Sequence, residues 1–105
     1  MEKPEQKTPV QKTGLSLDLK AMKAYVDGEE VKLKMKEFRV LSYLYEHKNH
    51  VVTKQELFQN IWGDEFFSDG TLNVHIRKIR EKIEKNPNEP KYIKTVWGMG
   101  YRLEL

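Results

Sequence analysis

The stretch TLNVHIRKIREKIEKN, Thr71 to Asn86, carries Arg77, Lys78, Arg80, Lys82 and Lys85 against only Glu81 and Glu84. Such groups bind anions; they do not break bonds. An α-helix advances about 100° per residue, which places Leu72, Ile76, Ile79 and Ile83 on one narrow stripe that must face a core. Val74, Arg77, Lys78, Glu81 and Lys85 then lie opposite, with Thr71 close by; Asn73 and Arg80 take one flank, His75 and Lys82 the other. This arrangement suits the major groove of double-stranded DNA. Lys78 is placed to donate to guanine O6 or N7, and the methyl groups of Val74 and Thr71 to meet thymine methyls. His75, Arg77, Arg80 and Asn73 are the expected phosphate donors. Glu81 and Glu84 would repel phosphates, so the N-terminal half should enter, a polarity that the helix dipole also favours. The competing reading is a solvated amphipathic helix with Arg77–Glu81 and Arg80–Glu84 pairs at i, i+4.

The elements that position this helix are legible from local patterns. Leu15, Leu17 and Leu19 alternate with polar residues, the period of a half-buried strand. Asp27-Gly28 separates two short extended runs and supplies the positive φ angles of a two-residue hairpin turn. KMKEFRVLSYLYEHKN sets Phe38, Leu41, Leu44 and Tyr45 on a helical stripe, with Asn49 as its stop. After a short extended VVT, Thr53-Lys54-Gln55-Glu56 forms a capping box that opens a helix burying Leu57 and Ile61 and ending at Gly63. Asp69 can cap the next helix, which runs to Asn86-Pro87. YIKTV, WGMG and YRLEL then read as strand, glycine turn and strand. The order is sheet, three helices and hairpin: an α+β winged helix-turn-helix with an N-terminal antiparallel sheet and a C-terminal β-hairpin wing. Residues 1–13, polar with two prolines, read as a linker in which Val10 could begin an edge strand; residues 14–105 form the domain.

A chain of 105 residues fits one domain with a modest core. A net charge of +3 permits a nucleic-acid partner without requiring one. The absence of cysteine rules out disulfides and thiolate chemistry. No apolar run reaches the length of a membrane span and no signal-peptide core follows Met1, so a cytoplasmic protein without membrane contact is expected. His47 and His50 lack a third ligand, and Trp97-Gly98-Met99-Gly100-Tyr101 lacks the context of a dinucleotide site. No enzyme, metal or cofactor is expected. Tyr25, Tyr43 and Tyr45 are most simply packing residues.

DGEEVKL-KMKEF-RVL, VVTKQELFQNIWG, TLNVHIRKIREKI and YIKTVWGMGYRL, in this order and spacing, resemble the effector domain of OmpR/PhoB-family response regulators over roughly residues 15–105. IWGDEFFS and KYIKTVWGMGYRLEL are especially similar to VanR-type members. The resemblance implies a four-stranded N-terminal sheet, a three-helix bundle and a wing. It implies promoter binding on tandem repeats, with helix 70–86 in the major groove and wing 92–105 on the adjacent backbone and minor groove. It also implies an upstream receiver domain addressed by a histidine kinase, and a domain that is monomeric alone and dimeric on DNA. On matching positions, Thr71, Val74 and Lys78 face bases, and His75, Arg77 and Arg80 phosphates; Trp62, through its indole N–H, and Thr95 and Tyr101 at the wing also reach the backbone. Trp97 and Arg102 belong to the wing, and the loop Asp64, Glu65, Phe66, Phe67 is where relatives can meet RNA polymerase. A Phe tucked into the core is the alternative for that loop.

Four positions depart from the family pattern. Gly70 stands where many members have a phosphate-binding Arg. Lys78 replaces an Arg and offers guanine a point charge without a bidentate fork. Trp97 replaces a minor-groove Arg; it would pack on the sugar-phosphate edge or cover the base of the wing. Lys34 sits near the place of a Ser or Thr cap, so the first helix should be less well capped. A functional alternative from another class is a winged-helix module that binds an acidic protein through the same face. Against it, that face lacks the large aromatics of a protein hot spot.

Overall fold

A computed structural model of the chain describes residues 13–63 and 69–105. Three strands, β1 (Leu15–Asp18), β2 (Lys23–Val26) and β3 (Glu29–Val31), form an antiparallel sheet. Next come α1 (Met35–Glu46), β4 (Val51–Thr53) and α2 (Lys54–Leu57), which continues as a π-helical turn, Phe58–Trp62. Helix α3 (Asp69–Ile83) is followed by β5 (Ile93–Val96) and β6 (Gly100–Leu103). The second sheet has the order β4-β6-β5, so VVT is a third strand of the wing. The N-terminal sheet implied by the resemblance thus has three strands among the described residues; the edge strand expected near Val10 falls outside them.

Local chemistry accounts for most boundaries. Asp27 and Gly28 both adopt positive φ, 52° and 85°, as the hairpin requires. Leu15 and Leu17 are buried, whereas Leu19 lies beyond the strand and is exposed. Thr53 Oγ1 accepts from Glu56 N–H at 3.0 Å and Glu56 Oε1 from Thr53 N–H at 3.0 Å, the expected capping box. The Tyr43 hydroxyl donates to the second oxygen of Glu56 at 3.1 Å, tying α1 to α2. Lys34 gives α1 no side-chain cap; its N–H donates to Glu37 Oε1 instead. Asn49, in the left-handed region at φ 67°, donates its N–H to the Leu103 carbonyl, which joins the end of α1 to the wing.

Phe38, Leu41 and Leu44 of α1 meet Leu57 and Ile61 and the α3 stripe in one core, to which Val40 and Val52 also belong. Leu72, Ile76, Ile79 and Ile83 are each 2% exposed or less. Burying a Leu or Ile side chain contributes about 1.5–3 kcal/mol, so this stripe sets the rotation of α3 firmly. Gly100 is required where β6 crosses β4: a Cβ there would overlap the Val52 carbonyl oxygen.

Candidate nucleic-acid interface

With its isoleucine stripe inward, α3 turns Thr71, Val74 and Lys78 outward along one line, at i, i+3 and i+7. Val74 is 47% exposed, Lys78, Arg77, Asn73 and Glu81 are exposed, and Thr71 and His75 are half-buried. The two phosphate flanks are built differently.

On one flank His75 packs its ring edge-on against Trp62, centroids 5.1 Å apart. Trp62 is buried, stacked edgewise on Phe58 with Lys36 Nζ 5.7 Å from its ring centre, and its indole N–H takes no partner among the described residues. The π-helical turn and Gly63, at φ 60°, deliver the ring to this position. His75 Nδ1 lies 2.8 Å from the Thr71 carbonyl oxygen. A carbonyl only accepts, so Nδ1 bears a proton. Nε2 is then an acceptor in the neutral ring and donates to an anion only in the imidazolium.

On the other flank Asn73 and Arg80 face the wing. The Tyr101 hydroxyl donates to Asn73 Oδ1 at 3.0 Å. Arg80 donates from Nε and Nη2 to the Ile93 carbonyl, at 3.2 and 2.8 Å, and from Nη2 to Thr95 Oγ1 at 2.9 Å. Burial pushes the Arg80 guanidinium down from its ordinary value, while Tyr101 and Glu84 act the other way; it stays charged at any physiological pH. Between α3 and the wing runs a groove of about 720 Å³ lined by Lys54, Asn73, Arg77, Thr95, Trp97 and Tyr101 among others. Trp97, at the turn, is 89% exposed and so does not cover the base of the wing. Arg102 follows Tyr101 in β6 and therefore points to the opposite sheet face, where it pairs with Glu104 at 2.9 Å. It is not part of this groove. Asp64, Glu65, Phe66 and Phe67 lie outside the described residues.

Glu84, expected to be an outward charge that repels phosphate, is buried. Its Oε1 accepts from the N–H groups of Lys91 and Tyr92, and its Oε2 from those of Tyr92 and Ile93. Helix α3 ends at Ile83, short of the expected Asn86. Lys82, placed on a flank, donates to the buried Glu37 at 2.8 Å and locks α3 to α1. Burial pushes the Glu37 carboxyl up, but the bonds from Lys82 and Lys34 N–H and the two lysine charges outweigh this and hold it below the ordinary carboxylate value. Glu37 was missed because a glutamate in the first turn of a helix ordinarily reads as a solvated charge; Lys54, on the groove wall, was missed because it reads as a helix start.

Residues 28–103 match the family described as "Transcriptional regulatory protein, C terminal". The chain is 44% identical over 94 residues to the regulatory protein VanR of Enterococcus faecium, covering 88% of this chain and 41% of VanR. It is 46% identical over 80 residues to the response regulator SaeR of Staphylococcus aureus, 75% of this chain and 35% of that one. It thus spans about two fifths of the length of such relatives. Among solved structures, the Thermotoga maritima response regulator DrrB, an OmpR/PhoB homologue, superposes with a TM-score of 0.81 at 36% identity, over 87% of this chain and 42% of DrrB. The DNA-binding domain of Klebsiella pneumoniae RstA, solved in complex with the RstA box, gives 0.80 at 29% identity, over 94% and 98%. Among the described residues no helix is long and apolar enough to cross a membrane. By its sequence match, its winged-helix fold and the outward face of α3, the chain belongs to the C-terminal domains of transcriptional regulatory proteins, of the OmpR/PhoB response-regulator type.

Proposed function

We propose that this domain binds double-stranded promoter DNA in a sequence-specific manner, as the effector domain of a two-component response regulator. The observation that carries the reading is the rotation of α3. With Leu72, Ile76, Ile79 and Ile83 buried, the half-buried Thr71 and the exposed Val74 and Lys78 lie along one outward line. Cationic and hydroxyl groups flank that line on both sides, the layout that groove recognition needs. Helix α3 enters the major groove. Lys78 donates to guanine, and Thr71 and Val74 meet thymine methyls. Phosphates are held by Arg77, by His75, by the indole N–H of Trp62, and on the wing side by Thr95 and by the Asn73 amide, whose oxygen Tyr101 holds in place. Trp97 lies against the sugar-phosphate edge of the adjacent groove.

The rest of the proposal follows from kinship. The domain works downstream of a receiver domain that a histidine kinase phosphorylates, in the cytoplasm. It binds tandem repeats as a dimer while being monomeric alone, and the loop from Asp64 to Phe67 contacts RNA polymerase. Selecting binding sites from a random DNA pool tests the reading. The expected result is a directly repeated motif whose positions under α3 change with Lys78→Arg. Recovery of unrelated sequences, together with capture of an acidic protein by the same face, would favour the protein-binding alternative.

A further inference from the structure

The outer face of α3 explains how bases are met, but it leaves open what fixes the wing relative to that face. Two side chains of α3 and that of the residue just after it reach the wing: Asn73 through Tyr101, Arg80 through Ile93 and Thr95, and Glu84 through the N–H groups preceding and opening β5. They are spaced along the helix and grip β5 from both sides, Glu84 accepting from its first N–H and Arg80 donating to the carbonyl of that same residue, Ile93. Of the five N–H groups of Arg80, the one on Nε and both on Nη2 are engaged within the protein. Its ring-stacked position, 5.9 Å from the centre of Tyr101, adds a further hold.

We infer that Arg80 is a positioning residue: its guanidinium fork joins the recognition helix to the wing, and it raises DNA affinity by holding Thr95 and the wing tip in register with α3. This rests on the DNA-binding reading but differs from it in mechanism, because a phosphate-binding arginine acts through its charge. A fork is needed to bridge the Ile93 carbonyl and Thr95 Oγ1; a single ammonium on a shorter stem cannot reproduce it. Charge and geometry can therefore be separated by substitution.

Arg80→Lys keeps the charge and loses the fork, Arg80→Ala loses both, and Arg77→Ala removes an exposed charge as a reference. Two quantities are measured: amide hydrogen exchange of residues 93–96 in the free domain, and anisotropy binding to a selected operator over a range of salt. The expected result is that Arg80→Lys and Arg80→Ala both speed wing exchange and both weaken operator binding, each by about tenfold or more. Their salt slopes stay at the wild-type value, while Arg77→Ala lowers the slope by about one. The inference is overturned if Arg80→Lys exchanges and binds like wild type, or if Arg80→Ala lowers the salt slope as much as Arg77→Ala with wing exchange unchanged. If the wild-type domain fails to bind any selected DNA, the functional proposal fails by itself, and the exchange measurement still decides whether Arg80 holds the wing.

Discussion

Replacing Glu84 with glutamine removes a single charge and almost no volume, yet it should cost a large part of the domain's stability. The carboxylate accepts four hydrogen bonds, at 2.7 and 3.1 Å on Oε1 and at 3.0 and 2.8 Å on Oε2, from three consecutive N–H groups. Glutamine offers one oxygen. In its best orientation that oxygen keeps Tyr92 and Ile93, and the amide nitrogen then faces the N–H of Lys91, donor against donor. A hydrogen bond to a charged group contributes about 1.5–3 kcal/mol and a neutral one about 0.5–1.5. One bond lost and two weakened come to about 3 kcal/mol, a sizeable share of the roughly 5–15 kcal/mol available to a small domain. At about 4–8 °C per kcal/mol for this size, thermal unfolding followed by circular dichroism should move down by about 12–24 °C. Glu84→Ala, which leaves all three N–H groups without their acceptor, should fall further. A Glu84→Gln midpoint within about 2 °C of wild type would refute the claim that this carboxylate organises the entry to β5.

Three other outcomes are expected. Glu37, whose carboxyl is held below its ordinary value of 4.5, contributes stability that is complete above that value and is lost as pH falls through its lower folded value; urea midpoints across acid pH should show this loss, and Glu37→Gln should start lower and depend less on pH. Gly100→Ala would drive a methyl into the β4 backbone at Val52 and Thr53; because backbone cannot step aside, denaturant unfolding should report a loss of about 2 kcal/mol or more, and a wild-type midpoint would contradict the close crossing. His75 packs on Trp62 beside the start of α3; as a backbone contact it should, as His75→Ala, weaken binding to operator and scrambled duplexes about equally in anisotropy titrations, and a loss confined to the operator would contradict that role.

The parts of this fold that were legible in the sequence are those written in short-range periods. Leu72, Ile76, Ile79 and Ile83 repeat at helical spacing, Asp27-Gly28 names its own turn, and Thr53 and Glu56 form a cap within one helical turn. The illegible parts depend on partners distant along the chain. Lys82 and Glu37 are 45 residues apart, and Arg80 and Thr95 are 15 apart. A charge on the edge of a helical stripe looks alike in sequence whether water or a buried strand end awaits it, so Glu84 passed for a solvated glutamate. The pairing of β4 with β6 was hidden for the same reason: VVT announces a strand without saying which strand it joins. In the candidate site, the outward line of Thr71, Val74 and Lys78 followed from periodicity. The division of the basic residues between those open to solvent, such as Arg77, and those holding the protein together, such as Arg80 and Lys82, needed the tertiary structure.

Competitive anisotropy with the selected operator and a scrambled duplex at fixed salt measures whether the outer face of α3 reads DNA sequence. The wild-type domain should prefer its operator by about a thousandfold or more, and Lys78→Ala should reduce this preference by about tenfold or more while leaving affinity for the scrambled duplex nearly unchanged. Equal affinity of the wild-type domain for both duplexes, or a preference that survives Lys78→Ala intact, would contradict sequence reading by this face.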